Sequence, residues 1–560
     1  MLERRWWQSA VFYQIYPRSF ADGNGDGIGD IPGITSKLDY LRELGVGAVW
    51  LSPHYPSPFV DCGYDITDFR GVATEYGTLD DFHHLLHEAH ARGIKVVLDL
   101  VLNHSSDQHP WFTESRASRA NAKRDWYIWR DGREGGPPNN WVSVFGGPAW
   151  TLDPATGQHY YHAFLKQQPD LNWRNPALKH AMLQMVRFWL DLGVDGFRLD
   201  AVGTVFENPE WPDHRAALTS EQQLNPLLLP QPQWLELMQH QLRQPEVHAL
   251  MQELRELIEG YPGERVLLGE DDDVSFHGDG GDELHLVFNF PLVRTERLTP
   301  AHIRANQAER LAALGSNWPC NTLGSHDSRR LWSCYGDGLH DAALARLHLA
   351  LLATLRGTPV LYNGEEIGMT DLVLEDLAQV RDTAAIARYG LLRAHRRLSH
   401  GEALASVIAT TRDRSRNPVQ WKNAPHGGFC PPDVAPWLPV NADHARGVNV
   451  EDQDRDPGSL LNFYRRVLAL RRATPALLAG DYRALDEAND DVLSFLRLDV
   501  ASGQTCLVAL NFSASARSFD ASVYGCVGRV LLSTGSGRAT NLSSGSIALE
   551  AHEVLIAEFS

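Results

Sequence analysis

The chain has 560 residues, 43% hydrophobic and 22% charged, with 70 acidic against 51 basic side chains and a formal net charge of −19. That length is too great for one compact core of ordinary size. The acidic surplus argues against nucleic acid or an anionic membrane as partner, because both require clustered Lys and Arg.

The opening "MLERRWWQSAVFYQIYPRSF" has no apolar signal core, and no run approaches the roughly 20 apolar residues of a membrane helix. The six cysteines (62, 320, 334, 430, 506 and 526) form no CxxC pair. Reduced thiols and a cytoplasmic location are therefore expected.

The first predicted strand is "VFYQIYP", and "DGNGDGIGD" follows at 22–30. Its start matches D-x-[DN]-x-[DN]-G, the opening of an EF-hand loop. Position twelve, however, is Gly33 rather than a bidentate Glu, and a strand precedes it where an EF-hand has a helix. Asp22, Asn24, Asp26, the carbonyl of Ile28 and Asp30 still offer oxygens at alternating positions, enough for one hard cation. A metal-free Gly- and Asp-rich turn is the other reading.

A repeated unit then dominates: an amphipathic segment ends at a glycine and a short apolar run follows. "YLRELGVGAVWLSP" shows it around Gly45. In "TLDDFHHLLHEAHARGIKVVLDL", Phe82, Leu85, Leu86 and Ala89 recur at helical spacing, Thr78 can cap the start, and Gly93 suits a left-handed stop. Residues 104–175, rich in Trp, Asn, Gly and Pro, read as an excursion domain. The unit returns in "RFWLDLGVDGFRLD", after which 202–245 is polar and Pro-rich. "YPGERVLLGE", "HLVFNF", "CNTLGSH" and "LRGTPVLYNGEE" bring the strands to eight, the number that closes a (β/α)8 TIM barrel; an open doubly wound sheet is the alternative. From residue 481 the pattern changes to short alternating strands with Gly, Ser and Asn turns, an antiparallel β-sandwich. The expected domains are thus a barrel over 1–103 and 176–480, the excursion over 104–175, and a C-terminal sandwich over 481–560.

In "GVDGFRLDA" strand alternation puts Phe197 and Leu199 on one face and Arg198 with Asp200 on the other. Two further strands, "RVLLGE" and "NTLGSHD", finish on Glu270 and Asp327. Each acid alone could cap a helix or sit in a buried ion pair. Three of them at the C-terminal strand ends of a barrel converge on its catalytic face, and one Asp with one Glu is the equipment for glycoside hydrolysis.

These residues resemble glycoside hydrolase family 13, the α-amylase superfamily, whose four motifs occur in order: "DLVLNHSS" (Asp99, Asn103, His104), "GFRLDA" (Arg198, Asp200), "LLGE" (Glu270) and "GSHDSRR" (His326, Asp327). "VWLSP", "QPDLN" and "GTPVLYNGEEIG" match auxiliary motifs. The resemblance implies Asp200 as nucleophile, Glu270 as acid/base, and His326 and Asp327 on the sugar.

Within that superfamily the chain looks most like α-glucosidases and oligo-1,6-glucosidases. "DCGYDITDF" supplies Asp61 and Tyr64, and "RSRNPVQW" supplies Arg416 as the implied partner of Asp61. Such a pair would close the pocket and make the action exo, on small oligosaccharides or α-glucosides. Phe145, Phe164 and Gln168 would line it, ordinary packing being their other reading. Ala201, a small residue after the nucleophile, implies preference for α-1,4 over α-1,6 links. Ser325 departs from the usual Asn of the fourth motif. The run Asp271–Asp273 reads as a solvated turn, or as charge that keeps Glu270 protonated. The same resemblance implies one structural Ca²⁺ or Mg²⁺ in the 22–30 loop. Other enzymes of this superfamily, of trehalose synthase or sucrose isomerase type, share the site, but "SRRLWSCYGDG" lacks the isomerases' "RLDRD". A non-catalytic carbohydrate-binding relative is disfavoured by the three acids. The oligomeric state stays open.

Overall fold

The computed structural model describes residues 4–215, 226, 229–521, 528–542 and 545–559. Cys526 and most of 216–228, part of the expected Pro-rich connection, lie outside the described residues.

The strands run in chain order as expected. β1 (Phe12–Ile15), β2 (Ala48–Leu51) and β3 (Lys95–Val101) come first. The excursion holds β4 (Trp129–Asp131), β5 (Trp150–Asp153) and β6 (Gln158–Tyr161). β7 (Gly196–Asp200), β8 (Val266–Gly269), β9 (Leu286–Val287), β10 (Cys320–Thr322) and β11 (Thr358–Tyr362) return to the main sheet. Every neighbouring pair in the order β10-β11-β1-β2-β3-β7-β8-β9 is parallel. A parallel bridge between Phe288 and Cys320 joins the two ends, so the sheet closes as a barrel.

The helices form where capping and periodicity agree. Over Leu79–Ala91, Thr78 and Asp81 build a reciprocal capping box, and Phe82, Leu85, Leu86 and Ala89 are the buried stripe. Over Pro176–Leu192, Asn175 accepts from two N–H groups of the first turn, and Leu178, Met182, Val186, Trp189 and Leu190 are buried. Burial of each large side chain contributes about 1.5–3 kcal/mol, which far exceeds helix propensity in fixing the element. Gly193 stops this helix at φ 102, and Gly45 stops Leu38–Leu44 at φ 99. Both hand the chain to a strand through a left-handed residue that a Cβ would strain.

The excursion is a three-stranded antiparallel sheet, β4-β6-β5, behind the helix Pro110–Ala117. Trp141, Trp150 and Tyr161 form its own small core. The indole N–H of Trp173 donates to the carbonyl of Leu102, and His104 bridges to Asp170, so the sheet is held over the mouth of β3.

The C-terminal unit comprises β12 (Asp481–Leu485), β13 (Val492–Asp499), β14 (Gln504–Asn511), β15 (Arg517–Asp520), β16 (Gly528–Ser533), β17 (Asn541–Leu542), β18 (Ser546–Leu549) and β19 (Val554–Phe559). Six strands make one antiparallel sheet, and the β15–β18 pair lays Phe519, Ile547 and Leu549 against Leu496, Leu507 and Leu555. Among the described residues no helix is long and apolar enough to cross a membrane, and Cys62, Cys320, Cys334, Cys430 and Cys506 are all unpaired.

Two local expectations change. β10 ends at Thr322, so Asp327 is delivered by a turn rather than by the strand itself. A one-turn helix, Pro17–Phe20, also separates β1 from the 22–30 loop.

Candidate active site

β7 carries Arg198 and Asp200 into the mouth of the barrel on one face, as strand alternation requires. Arg198 is enclosed and serves three acids. Its Nη1 donates to Asp99 Oδ1 and to Asp200 Oδ1, each at 2.7 Å, and its Nη2 lies 2.7 Å from Glu270 Oε2. Glu270, the first residue after β8, also accepts from the Ala201 N–H at 2.9 Å. Asp99 is steadied by the indole of Trp50 and the hydroxyl of Tyr64, both at 3.1 Å.

A single buried cation cannot neutralise three carboxylates, so burial leaves each of them reluctant to ionise. Burial raises Asp99 to about 6, Asp200 to about 7 and Glu270 to about 8, with Arg198 opposing the rise in all three. Glu270 is thus the last to lose its proton. The charges that add to its rise are Asp200 and Asp327. The run Asp271–Asp273 is not a solvated turn. Arg243 holds Asp271 at 2.5 Å, Asp272 at 2.7 Å and Asp273 at 3.4 Å, and Arg294 adds a second contact to Asp272.

Opposite this group lies His326. Gln14 Nε2 can only donate, and it sits 2.7 Å from His326 Nδ1, so the proton of the neutral ring is on Nε2. That nitrogen faces the Tyr64 hydroxyl at 2.8 Å and Asp327 Oδ2 at 3.2 Å. Burial lowers His326 to about 3 and His104 to about 4, so both are neutral near pH 7. Asp327 also meets burial, but His326, Arg416 and Arg412 outweigh it and hold its carboxyl well below the usual range. Ser325 keeps the turn in place by accepting from the Asp327 N–H at 3.2 Å.

The pocket's far end corrects one assignment. The cation on Asp61 is Arg412, not Arg416: Arg412 Nη2 lies 2.7 Å from Asp61 Oδ1 and 2.8 Å from Asp382 Oδ1. Arg416 is fully buried and donates instead to Asp327 Oδ1 at 2.5 Å and to the His326 carbonyl at 3.0 Å. Both arginines belong to one turn, and local sequence could not say which reaches Asp61. Asp382, one residue before the helix Thr383–His395, was likewise missed, since its role exists only through Arg412.

Gln168 and the two aromatics come from the excursion. Gln168 Nε2 is 3.0 Å from both Asp61 Oδ2 and His104 Nε2. Phe145 and Phe164 pack at 5.7 Å, with the Arg412 guanidinium 5.0 Å over Phe145 and His104 edge-on to Phe164. All the expected pocket residues therefore meet in one place. On the open side a cleft of about 700 Å³ runs from Ala201 and Glu270 to Leu229, Trp234 and Arg243, so the described part of the 202–245 connection does border the site.

The 22–30 loop sits at the rim. Asp22 accepts from the Gly25 and Gly27 N–H groups at 2.6 and 2.8 Å, Asn24 from Asp26, and Asp26 from Ile28. Asp30 accepts from Gly23, Asn24 and Gly33 while capping the helix Ile31–Ser36. The donor set is all oxygen and fits a hard cation, with Asp30 the most heavily engaged of the five. The loop is linked to the site: Trp437 N–H donates to the Gly27 carbonyl, the Trp437 ring lies 6.1 Å from Tyr16, and Tyr16 stacks on His326 at 5.7 Å.

Comparison with known proteins agrees with this geometry. The α-amylase catalytic domain matches residues 14–480. An oligo-1,6-glucosidase from Halalkalibacterium halodurans is 38% identical over 95% of this chain and 94% of its own. A probable α-glucosidase from Rhizobium meliloti is 39% identical over 92% of this chain and 91% of its own. Among solved structures, the trehalulose synthase of Pseudomonas mesoacidophila superposes with TM-score 0.89 at 38% identity, covering 100% of both chains. An isomaltulose synthase variant from Erwinia rhapontici, solved with its natural substrate sucrose, gives 0.89 at 35% with the same coverage. With its barrel, its acids and its full-length relatives in agreement, the chain belongs to the α-amylase family of glycoside hydrolases, in the α-glucosidase and oligo-1,6-glucosidase group.

Proposed function

We propose that this enzyme is a retaining, exo-acting α-glucosidase that releases glucose from the non-reducing end of short α-glucosides, α-1,4 links preferred. The observation that carries this is the pairing of two site carboxylates, Asp61 and Asp327, with arginines. Asp61 is bound to Arg412 and Asp327 to Arg416, and acids held in this way would fix the hydroxyls of a terminal glucose and bar a longer chain. The Asp200–Glu270 relation supports retention. Both acids rest on the two terminal nitrogens of one guanidinium, which favours the close spacing of retaining pairs, about 5 Å, over the roughly 6.5–9.5 Å that admits a water.

In the first step Asp200 attacks the anomeric carbon as the glycosidic C–O bond breaks, and the leaving oxygen takes the proton of Glu270. In the second, Glu270 removes a proton from water, whose oxygen displaces Asp200. An alcohol lodged in the open cleft in place of water would give transglucosylation. The test is incubation with maltose, isomaltose, sucrose and trehalose, with product anomers followed by NMR. We expect α-glucose first and maltose turned over faster than isomaltose. Initial release of β-glucose would overturn retention, and internal cleavage of a long α-glucan would overturn exo action. The full-length likeness to sucrose isomerases supports a second reading, and formation of isomaltulose or trehalulose from sucrose in the same experiment would favour it.

The 22–30 loop is best read as holding one structural Ca²⁺ or Mg²⁺ through Asp22, Asn24, Asp26, the Ile28 carbonyl and Asp30. Such an ion would stiffen the rim through Trp437 and Tyr16 and take no part in the chemistry. Chelation should lower the melting temperature and restoration of calcium should recover it; no change in either, with no metal found by elemental analysis, would sink the idea.

A further inference from the structure

Away from the catalytic pocket, one group of metal-ligating side chains spans two domains. Asp337 and His340 lie in the turn before the barrel helix Asp341–Thr354, and His552 lies in the turn between β18 and β19. One ligand atom from each falls within 4.8 Å of the others. His340 Nδ1 is 2.7 Å from Asp337 Oδ2, and the His340 and His552 rings stand 4.9 Å apart. Asp337 Oδ1 accepts from the Leu339 and His340 N–H groups at 2.8 and 2.6 Å, which fixes the carboxylate.

His552 supplies the independent observation. It is only 6% exposed, yet neither ring nitrogen has a hydrogen-bond partner. An unpaired buried polar group is destabilising. The residue also sits at φ 52, a left-handed conformation that a side chain adopts only at a further cost. An apolar side chain would incur the second cost without the first. An imidazole in that place is explained if one of its nitrogens has a ligand.

We propose that Asp337, His340 and His552 bind one divalent first-row transition metal ion, zinc foremost, which staples the barrel to the C-terminal sheet. Two imidazoles and a carboxylate are the donors of such ions, whereas Ca²⁺ and Mg²⁺ require oxygen-only sets like that of the 22–30 loop. Zinc at about 2.0–2.1 Å from its ligands needs donors roughly 3.3 Å apart, so the turns need close only slightly. The Asp337 and His340 side chains are 37% and 40% exposed, so water can fill the remaining coordination position and the ion has a way in.

The test is titration of the EDTA-treated full chain with Co²⁺ in excess Ca²⁺, the calcium saturating any oxygen-only site. We expect one cobalt per chain with visible d–d absorption, displaced by Zn²⁺, and a zinc-dependent rise in melting temperature. His340→Ala, on the surface, and His552→Leu, which keeps a side chain of similar size, should each weaken binding by at least about 100-fold. His340→Ala should leave metal-free stability and α-glucosidase activity unchanged. If His552→Leu fails to fold, His340→Ala alone decides. Absence of the cobalt spectrum, or a spectrum and zinc response that persist in His340→Ala, would overturn the proposal.

Discussion

Arg412→Ala removes the cation that two buried carboxylates share. Asp61 and Asp382 have side chains only 6% and 4% exposed, and Arg412 touches both within 2.8 Å. Orphaning one buried member of an ion pair costs about 3–5 kcal/mol. Here Asp61 keeps Gln168, and Asp382 keeps the Arg412 backbone N–H and feels the charge of Arg416, so the loss should fall near the lower limit. The pH dependence has a definite sign. In the native protein Arg412 outweighs burial and holds Asp382 well below the ordinary carboxylate range. A carboxyl depressed in this way stabilises the fold above its unfolded value of about 3.9, and that stability is lost as pH falls. The deficit of Arg412→Ala should therefore be full at about pH 5 and above and shrink as pH falls below about 3.9, as read by urea unfolding at about pH 7 and about pH 3. Losing a charge-assisted contact to the pocket, about 1.5–3 kcal/mol, should also lower kcat/KM on an aryl α-glucoside by roughly 10–150-fold. A double-mutant cycle locates the effect: Asp61→Asn should couple strongly to Arg412→Ala and weakly to Arg416→Ala. The opposite coupling, or equal deficits at both pH values, would refute the assignment.

Asp200 must be ionised and Glu270 protonated, so kcat/KM should rise as pH climbs through about 7 and fall as it passes about 8, values that belong to the Asp99–Asp200–Glu270 group as a unit. A profile flat from about pH 6 to about 9 would contradict this reading. Asp327→Asn removes a charge that raises both acids, so its residual activity should have both limbs at lower pH. Ala201→Val adds two methyls beside the Glu270 cleft at a residue with φ 44; it should shift the maltose-to-isomaltose ratio and cost about 1–2 kcal/mol of stability, and an unchanged ratio would remove Ala201 from specificity. Asp200→Asn should abolish turnover, and wild-type rates would disqualify it as nucleophile.

What could be read from the chain beforehand followed the range of the interactions. The Thr78 cap, the Leu79–Ala91 stripe and the Gly193 stop are decided within a few residues, and they stood as expected. Arg198 and Asp200 were placed on one face by alternation alone. Asp61–Arg412 and Arg243 on Asp271–Asp273 are different: their partners lie far off in sequence, and each segment by itself is equally consistent with a solvated turn. Asp327 stood between the two cases. Its convergence on the site was legible, but its delivery by a turn was not, because β10 is only three residues long and closes the barrel through one bridge to Phe288.

The charge balance of the pocket suits the reaction better than any single pair does. Six carboxyls (Asp61, Asp99, Asp200, Glu270, Asp327 and Asp382) face three arginines, Arg198, Arg412 and Arg416. The nearby histidines are neutral, so even with Glu270 protonated the site carries more anion than cation. A bound α-glucoside is uncharged and gains little from that surplus. The oxocarbenium-like transition state bears positive charge at the anomeric centre, beside Asp200, and gains most. The arrangement therefore favours the transition state over the ground state. The same surplus adds to the burial that keeps Glu270 protonated: a further negative charge beside Asp200 and Asp327 would have only Arg198 to meet it. Acid catalysis and cation stabilisation thus draw on the same excess of carboxylates, and neutralising Asp327, whose charge raises both Asp200 and Glu270, should weaken both together.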